Sequence, residues 1–157
     1  LCFSCNANKR DTDDTDFRNL NVKYQTSISD CVFCNISRNI IAENELSIAF
    51  YDKFPVTSKH VLVIPKRHCN DYFELSQPEI NAMNRLTHNL KSKFSKEDTS
   101  ITGYNIGFNT GADAGQTVFH CHMHLIPRRK GDVENPIGGV RNIISGKGDY
   151  KTKPNKT

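Results

Sequence analysis

Residues 120–129 read HCHMHLIPRR and contain a histidine at every second position from His120 to His124. Because side chains alternate between the two faces of a β-strand, His120, His122 and His124 would share one face of a strand here. We predict a strand over residues 117–127. Its apolar face would pack on the core and carries Phe119, Cys121, Met123 and Leu125, whereas Val118 and Ile126 would join the histidines. The histidine face could bind a metal ion, supply a nucleophile or be a polar surface that faces solvent.

The segments before this strand predict an α+β fold built on an antiparallel sheet. Residues 46–52 and 60–65 are β-branched and aromatic runs separated by PVTSK, which predicts two strands joined by a turn. Ser76 begins the capping-box sequence SQPE, and apolar residues at helical spacing follow it, so we predict one main helix over residues 77–95. Residues 103–110 predict a further strand.

The length and charge of the chain limit its organisation and its partners. With 157 residues, 36% of them hydrophobic, there is room for one domain with a substantial core. We assign the domain to residues 30–130, between a polar extension over 1–29, expected to be flexible or loosely docked, and a basic tail over 131–157. The net charge of +4 is too small to indicate a nucleic-acid partner. No apolar run is long enough to span a membrane, so no membrane partner is expected.

The six cysteines are arranged as two CxxC pairs plus Cys69 and Cys121, each of which adjoins a histidine. This arrangement suits metal ligation by thiolates and imidazoles better than a disulfide framework, and it indicates a reducing, cytoplasmic compartment. The pair formed by Cys2 and Cys5 has no evident further ligands, so we assign it no role.

The other CxxC pair, Cys31 and Cys34, has the spacing with which two thiolates can reach one tetrahedral zinc ion. Such a site needs two more ligands, and His68 and His120 are the obvious candidates. A redox-active pair and two unrelated buried thiols are the alternatives at this stage.

A loop of small and hydrogen-bonding residues precedes the histidines and contains Asn109, Gly111, Gly115, Gln116 and Thr117. Neutral donors of this kind can surround phosphate oxygens. An imidazole beside such a loop can attack phosphorus directly, because its nitrogen is a good nucleophile at neutral pH. A hydrolase with a catalytic zinc bound by all three histidines is the competing interpretation.

Residues 115–128, GQTVFHCHMHLIPR, resemble the signature of the histidine triad (HIT) nucleotide hydrolases and transferases. Residues 31–36, CVFCNI, are similar to the zinc-carrying amino terminus of the microbial branch, and residues 49–68 are similar to the central hairpin of the family. The match covers about residues 30–128. Its Leu-Ile-Pro-Arg ending is closer to the dinucleoside polyphosphate hydrolases than to the phosphoramidases. One departure is Lys59, which stands where the family usually has glycine.

The resemblance implies a role for each matched residue. His122 would attack the α-phosphorus of a nucleotide and become nucleotidylated. The residues in contact with the phosphate would be His60, His124, Asn109, Gln116 and Thr117. The nucleoside would be bound by Val32, Phe33, Ile36 and Phe50 around the base and by Asp52 at the ribose hydroxyls. One structural zinc would be held by Cys31, Cys34, His68 and His120.

From this resemblance we expect a HIT-like α+β fold of about five antiparallel strands, one main helix and a shorter one, in a two-fold homodimer. The expected activity is hydrolysis of dinucleoside polyphosphates, of the diadenosine tri- or tetraphosphate type, through a covalent nucleotidyl-histidine. The expected base is a purine, adenine. The alternatives are a nucleoside phosphoramidase of the adenosine 5'-phosphoramidate type and a nucleotide-binding module with weak catalysis.

Overall fold

Five antiparallel strands form one sheet in the order β1-β2-β3-β5-β4. The protein is represented by a computed structural model that describes residues 30–35 and 40–149. Its strands are β1 Ile40–Glu43, β2 Ser47–Tyr51, β3 Val61–Pro65, β4 Ile101–Phe108 and β5 Met123–Arg129. The predicted α+β class and the antiparallel sheet are therefore confirmed. The expected extension over 1–29, with Cys2 and Cys5, lies outside the described residues.

An α-helix, α1, spans Gln77–Glu97 and packs against β1, β2 and β3. Its first turn is capped as predicted, because the Glu79 carboxylate accepts hydrogen bonds of 2.8 Å from both the backbone N–H and the hydroxyl of Ser76. Buried apolar side chains of the helix and of the sheet form one core, made of Ala49, Val61, Val63, Met83, Leu86, Leu90, Phe94, Met123 and Leu125. The helix therefore covers one face of the sheet and leaves the other face for the site.

The remaining helical segments of the described residues are short 3-10 turns, Tyr72–Glu74, Ala112–Ala114 and Gly139–Ile143. The resemblance implied one main helix, which is α1, and a shorter helix; outside α1, these turns are the helical segments of residues 30–35 and 40–149. None of the helices found in residues 30–35 and 40–149 could span a bilayer.

The strand predicted over residues 117–127 begins only at Met123, so this prediction was wrong at its start. The preceding residues leave the sheet ladder, and the backbone N–H of Cys121 instead donates to the carbonyl oxygen of Cys69 at 2.7 Å. As a result Phe119, expected in the core, is 52% exposed.

Strand alternation holds from Met123 onward. Met123 and Leu125 are buried in the core beneath α1, whereas His124 and Ile126 point to the opposite face. That second face also carries a smaller apolar cluster, which consists of Phe33, Phe50, Leu62 and Ile64. Strand β1 was not predicted, because its four residues are exposed or half-buried and its pairing with β2 contains a register irregularity.

Candidate active site

Three largely buried histidines meet on the sheet face opposite α1. His60 directly precedes β3, His122 directly precedes β5 and His124 lies within β5, which is paired with β3. The ring centroids of His60 and His124 are 5.2 Å apart, and those of His122 and His124 are 5.1 Å apart. Antiparallel pairing of two central strands therefore brings His60 beside two histidines that lie more than sixty residues later in the sequence.

His122 has a fixed tautomer. Its Nδ1 atom lies 2.8 Å from the backbone carbonyl oxygen of His120. Because a carbonyl oxygen can only accept, Nδ1 carries the proton of the neutral ring, and Nε2 keeps an unshared electron pair. The Phe33 ring packs edge-on against this imidazole, with 5.4 Å between the ring centroids. His122 thus presents one unprotonated nitrogen, as a nucleophile must.

His60 and His124 form a relay of hydrogen bonds. The backbone N–H of Val56 donates to Nδ1 of His60 at 3.3 Å, so the neutral His60 ring carries its proton on Nε2. That N–H donates to Nδ1 of His124 at 3.0 Å. His124 consequently carries its own proton on Nε2, a buried atom without a hydrogen-bond partner among the described residues. A buried N–H of this kind requires an acceptor, which a ligand can supply.

Both rings of this relay are neutral at pH 7. Burial lowers the pKa of His60, and Asp52 opposes this shift only in part. Burial also lowers the pKa of His124 to about 4, and the adjacent His122 and His60 rings act in the same direction. The Asp52 carboxylate uses one oxygen to accept the backbone N–H of Phe54 at 2.8 Å, and its other oxygen lies 3.6 Å from Nε2 of His60.

A second cluster beside the histidines consists of Cys31, Cys34, His68 and His120, whose ligand atoms all lie within 4.8 Å of one another. The Cys34 sulfur is 3.3 Å from Nδ1 of His68 and 3.6 Å from Nδ1 of His120, and the Cys31 sulfur is 3.5 Å from the latter. In a tetrahedral site with Zn–S of about 2.3 Å and Zn–N of about 2.0 Å, sulfur and nitrogen ligands are about 3.5 Å apart. The four side chains therefore fit a zinc ion.

His120 connects the two clusters. Its Nε2–H donates to the carbonyl oxygen of Pro65 at 3.0 Å, which leaves Nδ1 free as a ligand. Burial lowers the pKa of this ring to about 4, so it has the neutral form that metal ligation requires. The backbone carbonyl of the same residue fixes the tautomer of His122. A metal held by His120 would therefore stabilise the backbone that orients the adjacent nucleophile candidate.

An ion pair that sequence reasoning missed fixes the segment before His68. Arg67 donates from Nε and Nη2 to the two carboxylate oxygens of Glu79, each at 2.8 Å, and also to the carbonyl oxygen of Glu74 at 2.9 Å. Burial raises the pKa of Glu79, but the hydrogen bonds from Arg67 and Ser76 outweigh burial and lower it overall. The only feature of the sequence that could have indicated this ion pair was the capping-box residue Glu79. Its carboxylate can accept hydrogen bonds from Arg67 in addition to those from Ser76.

The loop before the histidines is held together by Gln116, which is 4% exposed. Its Oε1 accepts the backbone N–H of Gly111 at 2.8 Å, and its Nε2 donates to the carbonyl oxygens of Asn70 at 2.6 Å and Val118 at 3.1 Å. The two amide hydrogens of Gln116 are therefore engaged within the protein. Gly111 has a φ of 86°, a conformation that only glycine adopts readily.

The two other predicted phosphate contacts of this region differ in exposure. Thr117 is exposed at the end of the loop. Asn109 is half-buried and lines a cavity together with His60 and His124. Both side chains can therefore reach a ligand, whereas the amide hydrogens of Gln116 are already bonded within the protein.

Two of the four residues predicted to surround the base, Phe33 and Phe50, lie in one apolar cluster. Phe33 and Phe50 are buried, with ring centroids 5.5 Å apart, and they pack with Leu62 and Ile64, which sequence reasoning missed. Alternation along β3 offered a signal for both missed residues, since each shares a sheet face with Phe50. Val32 is 54% exposed, and Ile36 lies outside the described residues.

Lys59, the departure from the family pattern, points away from the histidines. Its ammonium group pairs with Glu97 at the end of α1 and lies 5.0 Å from the centroid of the Phe94 ring. Lys59 has a φ of 66° and is the one residue other than glycine with a positive φ in the described part of the chain. The contacts of Lys59 with the end of α1 therefore hold position 59 in a backbone conformation that favours glycine.

Comparisons with known proteins agree with this geometry. Residues 34–131 match the family model described as HIT domain. An uncharacterized HIT-like protein of Mycoplasma genitalium is 40% identical over 109 residues, which cover 66% of this chain and 77% of that protein. A Schizosaccharomyces pombe protein named bis(5'-nucleosyl)-tetraphosphatase [asymmetrical] is 35% identical over 97 residues, which cover 62% of this chain and 53% of that protein.

Among solved structures, the chain is similar to a Zn-bound histidine triad family protein from Mycobacterium smegmatis. The TM-score is 0.61 at 34% sequence identity, and the match covers 66% of this chain and 78% of that chain.

Proposed function

Because this chain belongs to the histidine triad (HIT) family, we propose that it hydrolyses dinucleoside polyphosphates at the α-phosphate through a nucleotidylated His122. The observation that carries this proposal is the protonation pattern. The unprotonated Nε2 of His122 lies beside the Nε2–H of His124, which has no hydrogen-bond partner in residues 30–35 and 40–149. The name of the similar S. pombe protein supports the choice of substrate class.

In the first step, Nε2 of His122 forms a bond to the α-phosphorus while the bond from phosphorus to the bridging oxygen breaks. The leaving nucleotide takes the electron pair of that bond. The Nε2–H of His124 donates to a phosphate oxygen and stabilises its developing charge, with His60 fixing its direction.

In the second step, water attacks the same phosphorus, and the phosphorus–nitrogen bond breaks. The electron pair returns to Nε2 of His122, the water releases its proton, and a nucleoside monophosphate leaves. His122 is thereby restored with its proton still on Nδ1.

The other predicted site residues bind and orient the substrate. Asn109 and Thr117 donate to the transferring phosphate, while Gln116 acts through the loop that it holds together. Asp52 accepts hydrogen bonds from the ribose hydroxyls. The base, adenine, packs on the apolar cluster of Phe33, Phe50, Leu62 and Ile64. Val32 and Ile36 are the further base contacts that the family resemblance implies.

A zinc ion bound by Cys31, Cys34, His68 and His120 would cross-link the CxxC turn to the backbone before β5, as a closed four-ligand site without an open position for chemistry. The possible metal ligands among the described residues form two separate groups, these four and the set of Asp52, His60 and His124, and His122 belongs to neither. This division favours a structural metal over a catalytic one.

We further propose a homodimer. Strand β4 forms one edge of the sheet, and its Ile106 side chain, 50% exposed, lines a recess together with Phe73, which is 82% exposed. An uncovered apolar strand edge is a common site of association between identical chains. Sedimentation equilibrium should give twice the mass of the chain.

A second candidate is the nucleoside phosphoramidase. The same site accommodates it, because the buried Nε2–H of His124 would stabilise charge on the transferring phosphate whether the leaving group is a nucleotide or an amine. Turnover of diadenosine tetraphosphate and adenosine 5'-phosphoramidate, compared on the same preparation, separates the two activities.

The experiment that tests the proposed mechanism replaces the nucleophile. We expect His122→Ala to lower kcat for diadenosine tetraphosphate at least about 1000-fold with its zinc content unchanged. Mass detection of the products from a panel of nucleotides would identify the base and the phosphate length. Turnover of the variant within tenfold of the wild type would contradict the mechanism, and binding without turnover by the wild type would favour the nucleotide-binding module.

A further inference from the structure

A cavity of about 530 Å³ adjoins His60 and His124 on the side opposite the proposed base pocket. The base pocket includes Phe50 of β2, whereas the cavity includes Asn105 of β4. Because β3 and β5 lie between β2 and β4, the histidines stand between two separate recesses on one face of the sheet. The volume of the cavity that adjoins His60 and His124 is within the usual range of small-molecule sites, about 300–1,000 Å³.

The floor of the cavity is open because of a glycine. In the register of β4 with β5, Gly107 is opposite His124. A Cβ atom built on Gly107 would meet no atom within 4 Å, and the residue has no positive φ that would demand glycine. Gly107 therefore leaves free space directly beside a histidine of the site.

The roof of the cavity comes from the region that follows β5. Val133, Val140 and Ile143 line it, and they are 45%, 59% and 83% exposed, respectively. Three apolar side chains thus face solvent at the mouth of a recess that reaches the histidines. Covering them with the flat surface of a base would remove apolar area from water.

The charges that line the cavity cancel each other. Among the described residues that line it, Arg128 is the one lysine or arginine and Asp132 the one carboxylate, and they share two hydrogen bonds of 2.8 Å. A further guanidinium nitrogen of Arg128 donates to Asn105. A cation that is already neutralised attracts a phosphate weakly, so this recess suits an uncharged group better than the end of a polyphosphate.

We propose that this cavity binds the nucleoside of the leaving nucleotide, the second nucleoside of a dinucleoside polyphosphate. The inference rests on the proposed function, because only a substrate with a nucleoside at each end occupies both recesses. The polyphosphate then crosses the histidines between the two. The cavity makes the enzyme prefer a dinucleoside polyphosphate to a nucleoside triphosphate, which lacks the second nucleoside.

The test compares two neighbouring exposed isoleucines with two substrates. Ile143 lines the cavity, whereas Ile144, 60% exposed, does not. The quantity measured is the ratio of kcat/KM for diadenosine tetraphosphate to kcat/KM for adenosine 5'-phosphoramidate, whose leaving group is only ammonia. We expect Ile143→Asp to lower this ratio at least about tenfold, and the matched control Ile144→Asp to keep it within about twofold of the wild type.

Gly107→Leu provides an independent variant, because its side chain would fill the cavity from the floor, and it should lower the same ratio. A wild-type ratio in both Ile143→Asp and Gly107→Leu would overturn the inference while the proposed function stands. Equal lowering of the ratio by Ile144→Asp and Ile143→Asp would also overturn it. If the wild type does not cleave diadenosine tetraphosphate, the proposed function fails and this inference fails with it.

Discussion

The Nε2 atom of His60 lies 3.0 Å from the Nδ1 atom of His124, and this contact determines which nitrogen of His124 carries a proton. A histidine that receives a hydrogen bond at Nδ1 can donate only from Nε2. The hydrogen bond from His60 therefore places the proton of His124 on Nε2, beside His122. His60 can influence the reaction in this way without touching the substrate.

His124→Gln should lower kcat about 100-fold, since it replaces an N–H that His60 holds in place, and that stabilises charge on the phosphate, with a mobile amide donor. The loss should be similar for adenosine 5'-phosphoramidate and for diadenosine tetraphosphate, because the same N–H contacts the transferring phosphate in both reactions. Steady-state kinetics on both substrates measure this, with the exposed His88→Gln on α1 as the control. A kcat within twofold of the wild type for both substrates would show that this proton is not used.

Removal of one ligand of the Cys/His cluster should release the metal and destabilise the domain. We expect about one zinc per chain in the wild type and in His88→Gln, and almost none in His68→Gln. The melting temperature of His68→Gln should fall by about 10 °C or more, because a ligand bound only by the native state is lost. Elemental analysis and calorimetry give both numbers, and full zinc content in His68→Gln would refute the assigned ligand set.

Much of this arrangement could be predicted from local patterns. The capping box at Ser76 predicted the start of α1, and alternation assigned His124 and Ile126 to the face away from the core. Alternation failed at Phe119, because it assumes a regular strand and does not take into account that the side chain of Gln116 folds the preceding loop.

Contacts between residues distant in sequence were beyond such patterns. The Arg67–Glu79 pair joins the residue before His68 to the capping-box glutamate of α1, and the cavity beside His124 depends on how the chain returns after β5. Neither the ion pair nor the cavity produces a periodic pattern in the sequence, since both depend on tertiary packing and not on local conformational preference.

Gln116 and Thr117 are neighbours that should have separable effects. Gln116→Ala leaves the Gly111 N–H and two carbonyl groups without their partner, so it should lower the free energy of unfolding by about 2–4 kcal/mol. Thr117→Val should lower kcat/KM without changing the melting temperature, because Thr117 is exposed. Thermal unfolding and kinetics on both variants test this, and a stable Gln116→Ala with reduced kcat would instead favour direct contact of Gln116 with the phosphate.

At position 59, glycine should be better tolerated than alanine. Lys59→Gly and Lys59→Ala both lose the contacts with Glu97 and Phe94, but only alanine keeps a side chain at a φ near 66°. We expect the glycine variant to melt about 3 °C higher than the alanine variant. Equal melting temperatures would indicate that the turn relaxes to an ordinary conformation once the lysine is removed.

Acid should destabilise the fold through His124. Its pKa is about 4 in the native state and has the ordinary value of 6.5 when unfolded, so the unfolded chain binds a proton first as the pH falls. Stability from this group is therefore complete above pH 6.5 and is lost as the pH falls toward 4, with about 2 kcal/mol gone at pH 5. With saturating zinc, the drop in melting temperature between pH 7 and pH 5 should be about 5 °C larger in the wild type than in His124→Gln. Parallel drops in both proteins would mean that His124 is not held neutral in the native state.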